Sequence, residues 1–264
     1  MGVNRQRAKE AFARYTNEYK ADDSRALLKI KHTYKVAQYC EEIATNLGLP
    51  NEDVDVAWLV GLLHDVGRFE QLRRFGTFND QKSVDHADLA VEILFDNGRI
   101  KDYYDDESEY HLIKIAIHMH NKYRVEKGFD ERTKMFCDII RDADKLDIFR
   151  VNIENTKEEV YEVSTEAFNT SEISSAVFDS YFDEKVVMKQ LKKNAVDGLV
   201  CHLSLVYELV FPVSVSLARG NGYVAKMLGF VSENPATNLQ LEKIRAQAND
   251  YMDRRIAENK KLDI

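Results

Sequence analysis

Proline is nearly missing from this chain. Its 264 residues include only Pro50, Pro212 and Pro235, and only eleven glycines. A β-sandwich or barrel needs Gly/Pro turn chemistry about every 8–12 residues, so the shortage excludes both. Proline is also the residue a helix interior tolerates least, and its scarcity predicts an all-α protein. Cysteine is sparse too: Cys40, Cys137 and Cys201 are far apart with no paired spacing, which fits a reducing compartment and no disulfide framework. No apolar run reaches the roughly 18 residues of a membrane span. The opening Met-Gly-Val-Asn-Arg-Gln-Arg lacks the apolar region of a secretory signal. The expectation is a cytoplasmic protein with no membrane partner. Basic residues number 37 against 45 acidic, a net charge of −8 with no long basic run, which argues against duplex nucleic acid as a partner.

What is present is helical periodicity. A helix is expected from Ser24, as its cap, to about Leu47, with Val36, Cys40, Ile43, Ala44 and Leu47 on one stripe. Gly48 and Pro50 end it. A second helix starts near Asn51, is continuously apolar from Ala57 to Leu63, and is expected to close at Gly67. Residues 68–82 read as a loop. Ser83 is the expected cap of a third helix carrying Ala87, Ala90, Val91 and Leu94, stopped by Asn97 and Gly98. A fourth helix is expected over residues 109–122. A fifth, over 131–149, carries Phe136, Ile139, Ile140 and Ala143. Short helices are expected over 153–185, strong helix over 186–218 interrupted at Pro212, a break at Gly220-Asn221-Gly222, and a charged helix after Pro235.

Several ionisable residues fall on the apolar faces of these helices. His32 precedes Val36 by one turn, His64-Asp65 ends the most buried helix, His86 lies one turn before Ala90, and Asp144 follows Ile140 by four. A single inward histidine is usually a hydrogen-bonded core residue, and His202, inside the run Leu199–Val210, is read that way. Several helices each aiming a His or Asp inward is a different pattern, because such groups are placed in cores when paired or metal-bound. Imidazole with carboxylate suits a divalent transition ion. In the fourth helix, at about 100° per residue, His120 falls within about 20° of Ile113, whereas His118 and His111 fall about 140° and 160° away. His120 is therefore the inward ligand, with His118 as the alternative.

The order His32, His64-Asp65, His86, His120, Asp144 resembles the HD-domain superfamily of metal-dependent phosphohydrolases. The phrases LVGLLHDVGRFE, SVDHADLAVEIL, IAIHMHNKY and RDADKLDIF carry the likeness, over about residues 24–150. Many relatives have Lys where this chain has Arg68, a change that keeps the positive charge and adds a bidentate phosphate donor. The resemblance implies an HD-type helical bundle with a metal-binding core at 24–150 and additional helices at 151–264 completing or covering it, within one helical domain. It implies that His32, His64, Asp65 and Asp144 hold one ion and His86 and His120 a second, with Asp65 bridging. The cofactor would be one or two divalent ions (Mn, Fe, Co, Ni or Zn, with Mg a further candidate). Asp65 and Arg68 would be catalytic, with Arg68, Asn121 and Lys145 binding substrate.

The implied activity is hydrolysis of a small phosphoester, a nucleotide or related metabolite, by a metal-activated water. Two other classes share the scaffold: a diiron oxygenase of the inositol-oxygenase kind, and a nucleotide-binding regulatory domain without catalysis. The intact ligand set argues against the last. The stretch RFEQLRRFGTFNDQKS is expected to be a loop covering the metals, with Arg68, Arg73 and Arg74 toward an anionic substrate and Phe69, Phe75 or Phe78 stacking on a base. A homodimer is compatible with the sequence.

Overall fold

The computed structural model describes residues 2–19 and 24–259. Among these the chain is all-helical, with no strand. It divides into two compact units, residues 1–144 and 145–264. No helix among the described residues is long and apolar enough to cross a membrane.

The first unit opens with α1 (Arg5–Asn17), capped by the Asn4 side chain, which accepts from the Arg7 amide. Next come α2 (Ser24–Asn46) and α3 (Asn51–Leu63), which pack along one another. The stripe Val36, Cys40, Ile43 and Ala44 is buried as the periodicity requires. After α3 the chain does not enter a loop. His64 and Asp65 form a break, and α4 (Val66–Phe75) follows at once, ended by Gly76 at φ 65°. Phe69 and Leu72, three residues apart, are the apolar face that folds this segment. The expected 68–82 loop is thus corrected: it shrinks to residues 76–85, with one 3₁₀ turn at Asp80–Lys82.

The third helix, α5 (His86–Val91), is capped by Asp85 rather than Ser83, since the Asp85 carboxylate accepts from the Ala87 and Asp88 amides. A π-helical turn, Glu92–Asp96, extends it. Then come α6 (Tyr110–Met119) and α7 (Glu131–Glu154). Phe136, Ile139, Ile140 and Ala143 are buried, and α7 runs on through the boundary between the units.

The second unit continues with α8 (Lys157–Tyr161), α9 (Thr165–Thr170), α10 (Ser175–Tyr181), α11 (Asp197–Leu203), α12 (Pro212–Gly220), α13 (Tyr223–Leu228) and α14 (Pro235–Asn259). The expected strong helix over 186–218 is broken up: residues 186–196 hold only the 3₁₀ turn Lys189–Leu191. Asp197 explains part of this. Its buried carboxylate accepts from the amides of Ser174, Lys193 and Asn194 and from the Ser174 hydroxyl, so local side-chain bonds replace the helical ladder. Pro212 begins α12 instead of interrupting a helix.

Candidate metal centre

Two glycines set the backbones that carry the polar residues. A Cβ on Gly61 would lie 2.6 Å from Ala37 Cα, so α2 and α3 meet main chain to main chain. That approach brings His32, on α2, beside His64, just past the end of α3. A Cβ on Gly67 would lie 2.2 Å from the His86 carbonyl oxygen and 2.7 Å from the Ala90 amide. Gly67 therefore does not close a helix, as the sequence suggested; it lets α4 rest on α5 and carries His86 to Asp65. Asp65 itself sits between α3 and α4 at φ −106°, ψ 13°, where the chain turns out of the helical path. His120 caps α6 and Asp144 lies on α7.

The six residues converge on the Asp65 carboxylate. Oδ2 lies 3.6 Å from His32 Nε2 and 3.5 Å from His64 Nε2. Oδ1 lies 3.4 Å from His86 Nε2 and 3.9 Å from His120 Nε2. Each oxygen thus faces its own pair of imidazoles. Asp144 Oδ1 closes the first pair, 3.1 Å from His32 Nε2. The donor atoms of His32, His64 and Asp144 lie within 4.8 Å of one another, as do those of His64, Asp65 and His120. Ligands held about 2.1 Å from a common ion are about 3 Å apart, so both groups are near the spacing a metal needs.

Proton placement tests the fit. His64 Nδ1 lies 2.7 Å from the Gly61 carbonyl, His120 Nδ1 2.6 Å from that of Ile117, and His86 Nδ1 2.7 Å from Asp80 Oδ2. All three partners only accept, so each Nδ1 carries a hydrogen, which in a neutral ring leaves Nε2 a lone pair. His86 Nε2 and His120 Nε2 then face each other at 2.9 Å, two lone pairs that need a positive centre. His64 Nε2 is buried with no hydrogen-bond partner. Burial pushes the His64 imidazolium down in pKa, and burial with neighbouring His86 and His64 pushes His120 well down, so both rings stay neutral. Burial alone would raise the Asp65 carboxyl, but the Lys29 ammonium, 2.8 Å from Oδ2, holds it well below the usual carboxylate range. Asp144 is likewise held low against burial, by its bond from His32. Neutral imidazoles with orphaned lone pairs around ionised carboxylates are the donor set of a divalent transition-metal site.

The other singled-out residues fall elsewhere. His118 is 42% exposed and pairs with Asp88 at 2.9 Å; His111 is exposed. Arg68 is enclosed, its Nη1 meeting Gln71 Oε1, the Phe78 carbonyl and Asp80 Oδ1, with Nε 3.6 Å from Asp65 Oδ1. Arg73 and Arg74 both bond Glu70, and Phe69 is buried, so the expected loop with three arginines toward a substrate is corrected to a helix, α4, with Arg68 largely enclosed and Arg73 and Arg74 paired at the surface. Asn121 Nδ2 bonds Asp85 Oδ1 at 2.8 Å. Lys145 lies in the second unit, 3.5 Å from Glu208. His202 is a hydrogen-bonded residue of that unit, its Nδ1 2.8 Å from Asn152 Oδ1 and its ring stacked on Tyr161.

Sequence reasoning missed two residues at the centre. Lys29 places Nζ 2.8 Å from Asp65 Oδ2; its position one turn before His32 was the available signal. Asp80 bonds His86, and nothing in its local sequence indicates it. The family model described as HD domain matches residues 30–149. No curated protein and no solved structure matches the chain.

Proposed function

Residues 30–149 form an HD domain, and from that premise we propose that the protein is a metal-dependent phosphohydrolase acting on a small phosphoester, a nucleotide or a related metabolite. The observation that carries the reading is the division of Asp65 between two imidazole pairs, His32/His64 at Oδ2 and His86/His120 at Oδ1. In this reading His32, His64, Asp65 and Asp144 would hold one divalent ion, and His86 and His120, with Asp65 shared, would hold a second. Mn, Fe, Co, Ni or Zn suits these donors. Bound ions in such a cradle supply Lewis acidity, neutralising phosphoryl charge and activating water for attack.

The chain's own residues do the rest. The Gly61 and Ile117 carbonyls and the Asp80 carboxylate fix three imidazoles with Nε2 inward. Lys29 keeps an 18% exposed side chain while its Nζ reaches Asp65. With ions held there, the Lys29 ammonium would be placed to meet a phosphoryl oxygen. Phe78, with Lys29 Nζ 5.8 Å and Arg68 Cζ 6.0 Å from its ring, backs the same side of the centre.

The test is a panel of nucleotides and sugar phosphates supplied with Mn or Co, with released phosphate as the signal. Turnover that disappears in Asp65→Ala supports the proposal. Silence across the panel, with oxygen uptake by the iron-loaded protein, moves the reading to a diiron oxygenase, which the same donor set could serve.

A further inference from the structure

Asp80 stands outside the six converging residues, yet it makes the contact that decides which nitrogen of His86 faces them. His64 and His120 obtain their tautomer from the carbonyl three residues earlier on their own helices, Gly61 and Ile117. His86 is the first residue of α5, so no such carbonyl precedes it within its helix. Its Nδ1 partner comes instead from the preceding loop, Asp80 Oδ2 at 2.7 Å. The carboxylate only accepts, so Nδ1 holds the hydrogen and the Nε2 lone pair is directed at His120 and at Asp65 Oδ1. The Asn121 amide is 3.4 Å from the same Nδ1 but is engaged with Asp85 Oδ1 at 2.8 Å, and a donor cannot bond a protonated nitrogen.

Asp80 is itself clamped. Its Oδ1 accepts from Arg68 Nη1 at 2.7 Å and from Gln71 Nε2 at 2.8 Å. Arg68 Nη1 also reaches the Phe78 carbonyl, and Gln71, fully buried on α4, also reaches Ser83 Oγ and the Val84 carbonyl, both at 2.9 Å. Helix α4 thus grips the 76–85 loop at several points, and the loop presents one carboxylate to the ring. The other half of the centre has no such dependence: His64 takes its orientation from Gly61, and His32 meets Asp144 directly.

We propose that Asp80 is a positioning residue that sets the tautomer and aim of His86, so that the His86–His120–Asp65 position depends on the Arg68–Gln71–Asp80 clamp while the His32–His64–Asp65–Asp144 position does not. Arg68 then acts through Asp80 and His86 in addition to its own approach to Asp65 Oδ1. This rests on reading the centre as a two-ion site, and the experiment separates the two ideas.

Metal-free protein is titrated with Mn(II) by calorimetry, and side-chain ¹⁵N spectra of the metal-free protein report the His86 tautomer. Asp80→Ala is expected to keep one equivalent at the parent's affinity and to weaken the second about 10–100-fold. Asp80→Asn, whose Oδ1 still accepts, falls between, and Arg68→Ala loses less than Asp80→Ala. In the spectra, His86 is Nδ1-protonated in the parent and becomes a tautomer mixture in Asp80→Ala. Two equivalents at the parent's affinity in Asp80→Ala, or an unchanged His86 tautomer, overturns the proposal. If the parent binds a single ion, the two-ion reading fails by itself, and the tautomer measurement still decides for or against Asp80. Thermal melting screens each variant, and if Asp80→Ala does not fold, Asp80→Leu, which fills the space but accepts no hydrogen bond, is read in its place by the same two criteria.

Discussion

Each unit buries an aspartate out of solvent, and the two are held in opposite ways. Asp197, fully buried in the second unit, is saturated by donors: three backbone amides and a hydroxyl, from Ser174, Lys193 and Asn194. Asp65, 2% exposed in the first, has the Lys29 ammonium at 2.8 Å and the Arg68 Nε at 3.6 Å, and otherwise faces imidazole nitrogens, of which His64 Nε2 has no hydrogen-bond partner. The histidines divide in the same way. His202 bonds Asn152 and stacks on Tyr161, whereas His64 leaves Nε2 without a partner. A saturated buried charge stabilises its surroundings; one ringed by unsatisfied lone pairs is poised for a cation.

The sharpest way to break this contrast is to delete both carboxylates. Asp65→Ala is expected to abolish metal binding and to lower any phosphohydrolase rate at least a thousandfold, with the metal-free protein melting as the parent does or higher. Asp197→Ala strands four donors and should cost about 3–5 kcal/mol of stability, without altering metal affinity per folded molecule. An Asp65→Ala protein that unfolds, or an Asp197→Ala protein that is stable and metal-free, would erase the distinction.

Within the first unit, His120→Ala is expected to lower metal content and weaken binding by about 10–100-fold, while His118→Ala, a surface residue paired with Asp88, leaves both unchanged. The reverse result would reassign the α6 ligand. Gly67→Ala places a methyl against the His86 main chain, which cannot yield by rotating a side chain. A loss of about 1–3 kcal/mol is expected, with the second metal equivalent weakened because His86 moves. Equal weakening of both equivalents would show that α4–α5 contact does not act through His86.

The smallest effect is a pH slope. Burial pushes His202 from 6.5 down to about 3. Between those values the unfolded chain binds a proton that the folded chain refuses, so stability falls as pH drops, by at most about 1.4 kcal/mol per unit, and is fully regained above 6.5. His202→Gln should flatten that limb of the stability curve without touching metal content. An unchanged slope in denaturant melts from pH 7 to 4 would show that His202 does not sense acid in this way.

The six-residue pattern was legible because its residues lie on apolar stripes of period 3.6 or, for His64-Asp65, at the end of the most buried helix, and an ionisable group there announces itself without knowledge of the fold. The same periodicity separated His120 from His118. It could not explain Gly67, because the reason for that glycine is the main chain of α5, about 20 residues later. It also mistook residues 68–75 for loop, since two glycines bracket a helix too short to show a full stripe and the buried Phe69 looked no different from the exposed Phe75. The continuous helix expected over 186–196 failed because Asp197 offers those amides a competing acceptor, a choice made by folding back onto Ser174.

Local chemistry therefore determined the helical class and the inward faces, which follow from proline scarcity and helical period, while the HD-type order of His and Asp rests on resemblance. The resemblance already implied that Asp65 serves both imidazole pairs; tertiary structure alone decided that Lys29 reaches Asp65 and that Asp80 orients His86. Those facts depend on how closely backbones approach at Gly61 and Gly67 and on which acceptor meets each Nδ1, quantities set by packing between distant segments that no local window contains.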